Sequence, residues 1–206
     1  AEVQVDLMFV HSKLEPGRGL ITVVHLVDSA LRWGAAAVSK SKEEEDLCST
    51  ISQIWVMIHG PMTTLVSDEE SGLKGRCATD WAEANSIHLK LKAPRQEAHI
   101  VERHNALLRT VIHAVEEQLL KEGIHVPFEQ VLSICIFMKN ALTVVDGATP
   151  YNALYGRQPT VLPPLEGGQI GAIIDQGPRP ATLSRYQARV REIAAAAIIG
   201  ATARMR

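Results

Sequence analysis

Asp6, Asp68 and Glu102 stand where a carboxylate needs an explanation. Asp6 interrupts an apolar, β-prone run from Val3 to Val10, Asp68 closes a short apolar run that begins at Thr63, and Glu102 opens a long amphipathic segment. A charge inside an apolar strand is costly unless something compensates it. Carboxylate oxygens are preferred by hard divalent cations such as Mg²⁺, and two ions held by such acids activate a nucleophile and stabilise the leaving oxygen in phosphodiester chemistry. The three acids are therefore a candidate metal-ligating set, expected to converge from strand and helix edges.

Other chemistry-bearing residues read more plainly. Ser67 has no Ser/His/Asp arrangement or strained Gly-x-Ser-x-Gly turn around it. His99 and His104 flank Glu102, but a five-residue separation across a helix start does not give the single coordinating face of an i, i+4 pair. The run Glu43 to Asp46 offsets a helix dipole at a capped start, and Asp28 and Asp80 read as ordinary surface acids. Cys48, Cys77 and Cys135 stand far apart with no Cys-x-x-Cys pair, which argues against a zinc knuckle and reads as buried thiols in a reducing compartment.

The elements that must position the acids follow from pattern. Val3–Val10 and Leu20–Val27 are strand-like runs either side of the turn cluster Glu15-Pro-Gly-Arg-Gly19, a hairpin; Trp33–Val38 is a third strand. Ser41-Lys-Glu-Glu44 predicts a capping box ahead of a helix ending near Gly60. Thr63–Val66 is a fourth strand, Leu73–Ala84 a helix with Trp81 on its apolar side, and Ile87–Leu91 a fifth strand with Lys90 and Lys92 on its polar face. Apolar residues at 101, 108, 112, 115 and 119 predict a long helix over Ile100–Lys121, ended by Gly123, and Pro127–Ala141 predicts a buried helix. Residues 161–178, with Pro163, Pro164, Pro178 and several glycines, read as a linker, and Ser184–Arg206 as an alanine-rich helix with Arg185, Arg189 and Glu192 on one side.

With 206 residues, 46% hydrophobic and 21% charged, the composition is that of a soluble globular chain with enough apolar surface for a core. The longest small-apolar run, Ile193 to Ala201, falls short of a membrane span, and no secretory leader opens the chain. The formal charge of −2 conceals two basic stretches: five bases against two acids over 88–109, and six arginines against one acid over 179–206. Such patches recruit phosphate even on an acidic chain, although two solvated helix faces explain them equally. The chain begins at Ala1 without a methionine, which fits a segment of a polyprotein.

A family resemblance rests on four fragments in order. Gln4-Val-Asp-Leu-Met8, Val66-Ser-Asp68, Ile100-Val-Glu-Arg-His-Asn105 and Thr149-Pro-Tyr-Asn-Ala-Leu-Tyr-Gly-Arg-Gln-Pro159 resemble the integrase catalytic core of retroviruses and LTR retrotransposons, over roughly residues 1–160. The resemblance implies an α/β, RNase H-like fold: a five-stranded mixed sheet flanked by helices, here with a carboxy-terminal helical tail. It also implies that Asp6, Asp68 and Glu102 are the catalytic Asp, Asp, Glu triad, dependent on Mg²⁺ or Mn²⁺. The expected reactions are processing of element ends by water and attack of the freed 3′ hydroxyl on target DNA, as a polynucleotidyl transferase of a retrotransposon. The implied partners are double-stranded DNA, both element ends and target, and further copies of the chain. The implied setting is a nucleus or virus-like particle.

Asn105 and Arg109 follow Glu102 by three and seven residues and share its helix face, so they read as DNA contacts, against the plainer reading of a polar stripe. Lys90, Lys92 and Arg95 read as sequence-independent phosphate contacts or as solubilising charges. Residues 93–99 occupy the place of the family's active-site loop without its glycine-rich character. Thirty-three residues separate Asp68 from Glu102, a slightly short spacing for the family, and Glu97 lacks the Val-Glu-Arg context. Neither the family's amino-terminal His/Cys zinc module nor its carboxy-terminal DNA-binding module is recognisable. The expected organisation is a catalytic core over 1–160, a linker over 161–178 and a basic helical tail over 179–206. The competing reading is a decayed or repurposed RNase H-like scaffold for DNA binding or dimerisation; an insertion-sequence transposase shares the chemistry but differs in the ends it recognises.

Overall fold

The structure, a computed structural model, describes residues 1–68, 72–92, 99–162 and 183–204. Strands β1 (Glu2–His11), β2 (Leu20–Asp28) and β3 (Gly34–Val38) form an antiparallel meander. The β1–β2 turn closes on Gly19, whose φ of 77° lies in the left-handed region open to glycine. β4 (Thr64–Asp68) then pairs parallel to β1, and β5 (His88–Lys92) parallel to β4, giving the order β3-β2-β1-β4-β5. This is the five-stranded mixed sheet that the sequence predicts.

Period-two alternation sends the two sets of β1 side chains into different cores. Val3 and Val5 join Val24, Leu26 and Leu65 beneath the helices that connect the parallel strands. Those helices are α1 (Glu44–Ile51), continued by a π-helical turn (Ser52–Val56) into α2 (Met57–His59), and α3 (Arg76–Ala84). On the opposite face, Met8, Val10, Ile21 and Val23 pack against Leu108, Val111, Ile112 and Val115 of α4 (His99–Lys121) and Val131, Leu132 and Cys135 of α5 (Phe128–Leu142). A short α6 (Pro150–Tyr155) is N-capped by Thr149, whose hydroxyl accepts from Asn152 N–H.

The carboxy-terminal helix α7 (Leu183–Arg204) is part of this second core. Val190, Ile193, Ala194, Ile198 and Ala201 are buried against α4 and α5, and the alanines let the helix backbones approach closely. Arg189 forms ion pairs with Glu122 at 2.6 Å and Glu192 at 2.7 Å, fixing the helix edge to the end of α4. The linker read over 161–178 lies, beyond Leu162, outside the described residues, and so does the side chain of Arg185. Among the described residues no helix is long and apolar enough to cross a membrane.

Several local expectations are corrected. The capping box at Ser41 does not form: Glu43 occupies the N-cap position without a side-chain cap, and Ser41 Oγ accepts from Glu43 N–H and donates to Asp46. Glu44 instead reaches across to accept from Gly75 and Ala78 N–H, so its carboxylate caps α3 rather than its own helix. Asp28 is buried, not a surface acid; its Oδ1 accepts from Ala30 N–H at 2.9 Å and Leu31 N–H at 2.6 Å and builds the turn into β3. Cys48 and Cys135 are buried thiols, but Cys77 is exposed.

Candidate active site

The register of the sheet assembles a row of polar side chains on the α4 face. Val5 pairs with Ser67 across the parallel β1–β4 ladder, so Asp6 and Asp68 are the next residues along on neighbouring strands. Asp6 pairs with His25 on β2, and Asp68 with Lys92 on β5. Lys90 lies two residues before Lys92, on the same face of the edge strand, and is exposed.

α4 crosses this row and is tied to it at two points. Gln4 Oε1 accepts from Val101 N–H at 3.3 Å near the helix start. One turn further on, Asn105 Nδ2 donates to Asp6 Oδ2 at 2.6 Å, while Asp6 Oδ1 accepts from Leu7 N–H at 2.8 Å. Both carboxylate oxygens of Asp6 therefore have donors. Burial nevertheless raises its pKa above the ordinary value, aided by the negative charge of Asp68; the bonds from Leu7 and Asn105 and the positive charge of Arg109 oppose the shift. A partly desolvated pair of like charges is the arrangement a hard divalent cation relieves, so the donor set here fits Mg²⁺ or Mn²⁺.

The structure thus brings together Asp6 and Asp68, with Arg109 close enough to bias Asp6. Glu102 lies on α4, three residues before Asn105, and borders a cavity of about 860 Å³ lined also by Arg32, His104 and the segment after α5. Among the described residues no three His, Cys, Asp or Glu side chains approach closely enough to hold one ion. Arg95, Glu97 and the rest of residues 93–98, read from sequence as the place of the family's active-site loop, lie outside the described residues, as does the side chain of His99. Asn105 is only 7% exposed, and its amide is engaged on both sides: Oδ1 faces His25 Nδ1 at 2.5 Å. Arg109 is exposed.

Beneath Asn105 lies a buried polar group that the sequence reading missed. His25 and Lys139 are both fully buried, and Asn140 clamps the start of β3, accepting from Gly34 N–H at 2.9 Å and donating to Gly34 O at 2.8 Å. Burial pulls the His25 imidazole down to about 3, helped by the charge of Lys139 and opposed by the Asn105 bond; burial alone pulls Lys139 down to about 7. A polar side chain within an apolar run, the feature that marks Asp6, recurs at His25 within Val23-Val-His-Leu-Val27 and at Lys139 within Ile134-Cys-Ile-Phe-Met-Lys139.

Neither a family model nor a curated protein matches the sequence. Solved structures do match in fold. A chain of the simian T-cell lymphotropic virus intasome in complex with PP2A regulatory subunit B56 gamma superposes with a TM-score of 0.65 at 18% identity, over 79% of this chain. The present chain spans 56% of the length of that one. The HTLV-2 integrase catalytic core domain in complex with magnesium superposes with a TM-score of 0.59 at 15% identity, in a trimeric and a dimeric form, over 73% of this chain and 93% and 92% of those chains. With its sheet order, its flanking helices and these likenesses, the chain has the RNase H-like fold of a retroviral integrase catalytic core.

Proposed function

We propose that this domain is a divalent-metal-dependent polynucleotidyl transferase of the integrase type, acting on double-stranded DNA for a retrotransposon. The observation that carries the reading is the position of Asp6 and Asp68, each one residue past the Val5–Ser67 pair on adjacent strands of an integrase-core fold and close enough for the charge of Asp68 to act on Asp6, with Asn105 holding Asp6 from the helix that also bears Glu102. Asp6 and Asp68, joined by Glu102, would hold Mg²⁺ or Mn²⁺. When bound, such an ion supplies Lewis acidity and charge neutralisation at the scissile phosphodiester.

The chain's own residues have separable tasks in this reading. Asn105 fixes the rotamer of Asp6, so that its oxygens face the site before substrate arrives. Lys90, Lys92 and Arg109, around the acids, attract the phosphate backbone without reading sequence. In end processing, water attacks the phosphorus and a 3′ hydroxyl leaves on the element end; in strand transfer, that hydroxyl attacks target DNA and a target 3′ oxygen leaves. Element ends, target DNA and further copies of this chain are the proposed partners, and a nucleus or virus-like particle the proposed setting.

One observation favours the second reading, a DNA-binding or dimerisation scaffold without turnover: the three acids do not form a single ion-holding cluster among the described residues. Strand-transfer and disintegration assays with Mn²⁺, run beside DNA-binding measurements, separate the two. Turnover abolished by Asp68→Asn supports the transferase; DNA binding without turnover supports the scaffold.

A further inference from the structure

The acid row rests on a hydrogen-bond chain whose polarity is fixed by chemistry. The carboxylate of Asp6 accepts, so Asn105 presents its NH₂ there and turns its carbonyl oxygen towards His25. An amide oxygen cannot donate, so His25 Nδ1 must carry the proton. With His25 neutral, Nε2 is then a bare lone pair, and it has no hydrogen-bond partner among the described residues. Lys139 Nζ, a donor, likewise has none. The two nitrogens border one point in space: a methyl group on Gly34 would collide with Lys139 Nζ and stand 3.3 Å from His25 Nε2. Asn140 holds Gly34 there through both of its backbone groups.

We infer that Lys139, His25 and Asn105 form a one-way donor relay that orients Asp6: Nδ1–H to Oδ1 and Nδ2–H to Oδ2 stand in the structure, and the third link, Nζ–H to Nε2, is one that a turn of the Lys139 side chain across the Gly34 point would close. Every donor points towards the acid. His25 and Lys139 are thus positioning residues for the proposed site, acting through Asn105 and touching neither ion nor DNA. The relay meets the need of two orphaned buried nitrogens, each of which is costly alone, with one contact. It operates whether Lys139 is charged or neutral, since an amine has N–H to give in either state. In its catalytic meaning the inference rests on the metal-dependent reading above.

The test reads the relay without requiring turnover. Long-range ¹⁵N–¹H spectra of the full chain should show His25 as the neutral Nδ1–H tautomer; an Nε2–H tautomer would overturn the relay. The Asp6 carboxyl ¹³C resonance, recorded metal-free, should move in His25→Leu and in Lys139→Met and return towards the wild-type position in His25→Gln, which keeps a donor and an acceptor. Mn²⁺ binding, measured by calorimetry, should weaken roughly ten-fold in His25→Leu, as for other residues that orient a ligand. Should His25→Leu fail to fold, Lys139→Met carries the same readings. An unchanged Asp6 resonance and unchanged Mn²⁺ affinity in the folded variants would refute the inference. A wild-type chain that binds no Mn²⁺ would instead sink the metal-dependent reading, while the tautomer and the Asp6 resonance still decide the relay.

Discussion

Asp6 and Asn105 lie 99 residues apart in the chain and are joined by a 2.6 Å hydrogen bond from Asn105 Nδ2 to Asp6 Oδ2. This bond fastens the helix bearing Glu102 to the strand bearing Asp6, and with the Gln4–Val101 bond it sets where the third carboxylate stands relative to the first two.

Asp68→Asn should lower the pH at which Asp6 titrates. The charge of Asp68 helps to raise the Asp6 pKa, so removing it shifts the midpoint down; burial, the larger cause, remains, so the midpoint stays above the ordinary carboxylate value. A ¹³C titration of the Asp6 carboxyl in metal-free protein measures this. In an Mn²⁺-supported strand-transfer assay the same variant should be inactive while its thermal melt stays cooperative.

Stability should fall with acidification in two windows. His25 is held near 3 in the folded chain against an ordinary 6.5, and Lys139 near 7 against 10.5. Between each pair of values the unfolded chain binds the extra proton, so stability is present above the higher value and is lost as pH falls, by about 1.4 kcal/mol per pH unit for each proton. Urea titrations should therefore give a shallower slope for His25→Gln below pH 6.5 and for Lys139→Met between pH 10.5 and 7. Unchanged slopes would mean that these groups titrate alike in both states.

α7 should be held by packing more than by its charges. Ile198 is fully buried, and Ile198→Ala should cost about 2–4 kcal/mol in chemical unfolding. Arg189, an exposed residue, pairs with Glu122 and Glu192, and Arg189→Ala should cost at most about 1 kcal/mol, less at high salt. The reverse ranking would assign the docking of this helix to electrostatics.

Lys90→Ala and Arg109→Ala should each weaken duplex DNA binding across unrelated sequences and reduce the slope of log K against log salt by about one. Fluorescence anisotropy at several salt concentrations reads this directly. A loss confined to one sequence would point to base recognition instead.

Much of the architecture was legible because it follows from local pattern. Alternation in Val3–Val10 and Leu20–Val27, the periodicity of Val101, Leu108, Ile112, Val115 and Leu119, and the apolar run after Pro127 each dictate an element that the structure contains. A costly carboxylate in an apolar strand was likewise enough to single out Asp6. Side-chain partners were not legible, because they depend on which elements meet. The box at Ser41 had the right spacing, yet Glu44 found the orphan N–H groups of α3 and capped those. Asn105 had the spacing of a DNA contact, but β1 and β2 beneath α4 offered its amide a carboxylate and an imidazole. Local pattern is thus enough for the strands, the helices and the acids worth watching. That Asp6 and Asp68 sit on neighbouring strands, and that His25 and Lys139 border one buried point, follows from the folded chain alone, because parallel register and helix docking are long-range choices that no local window encodes.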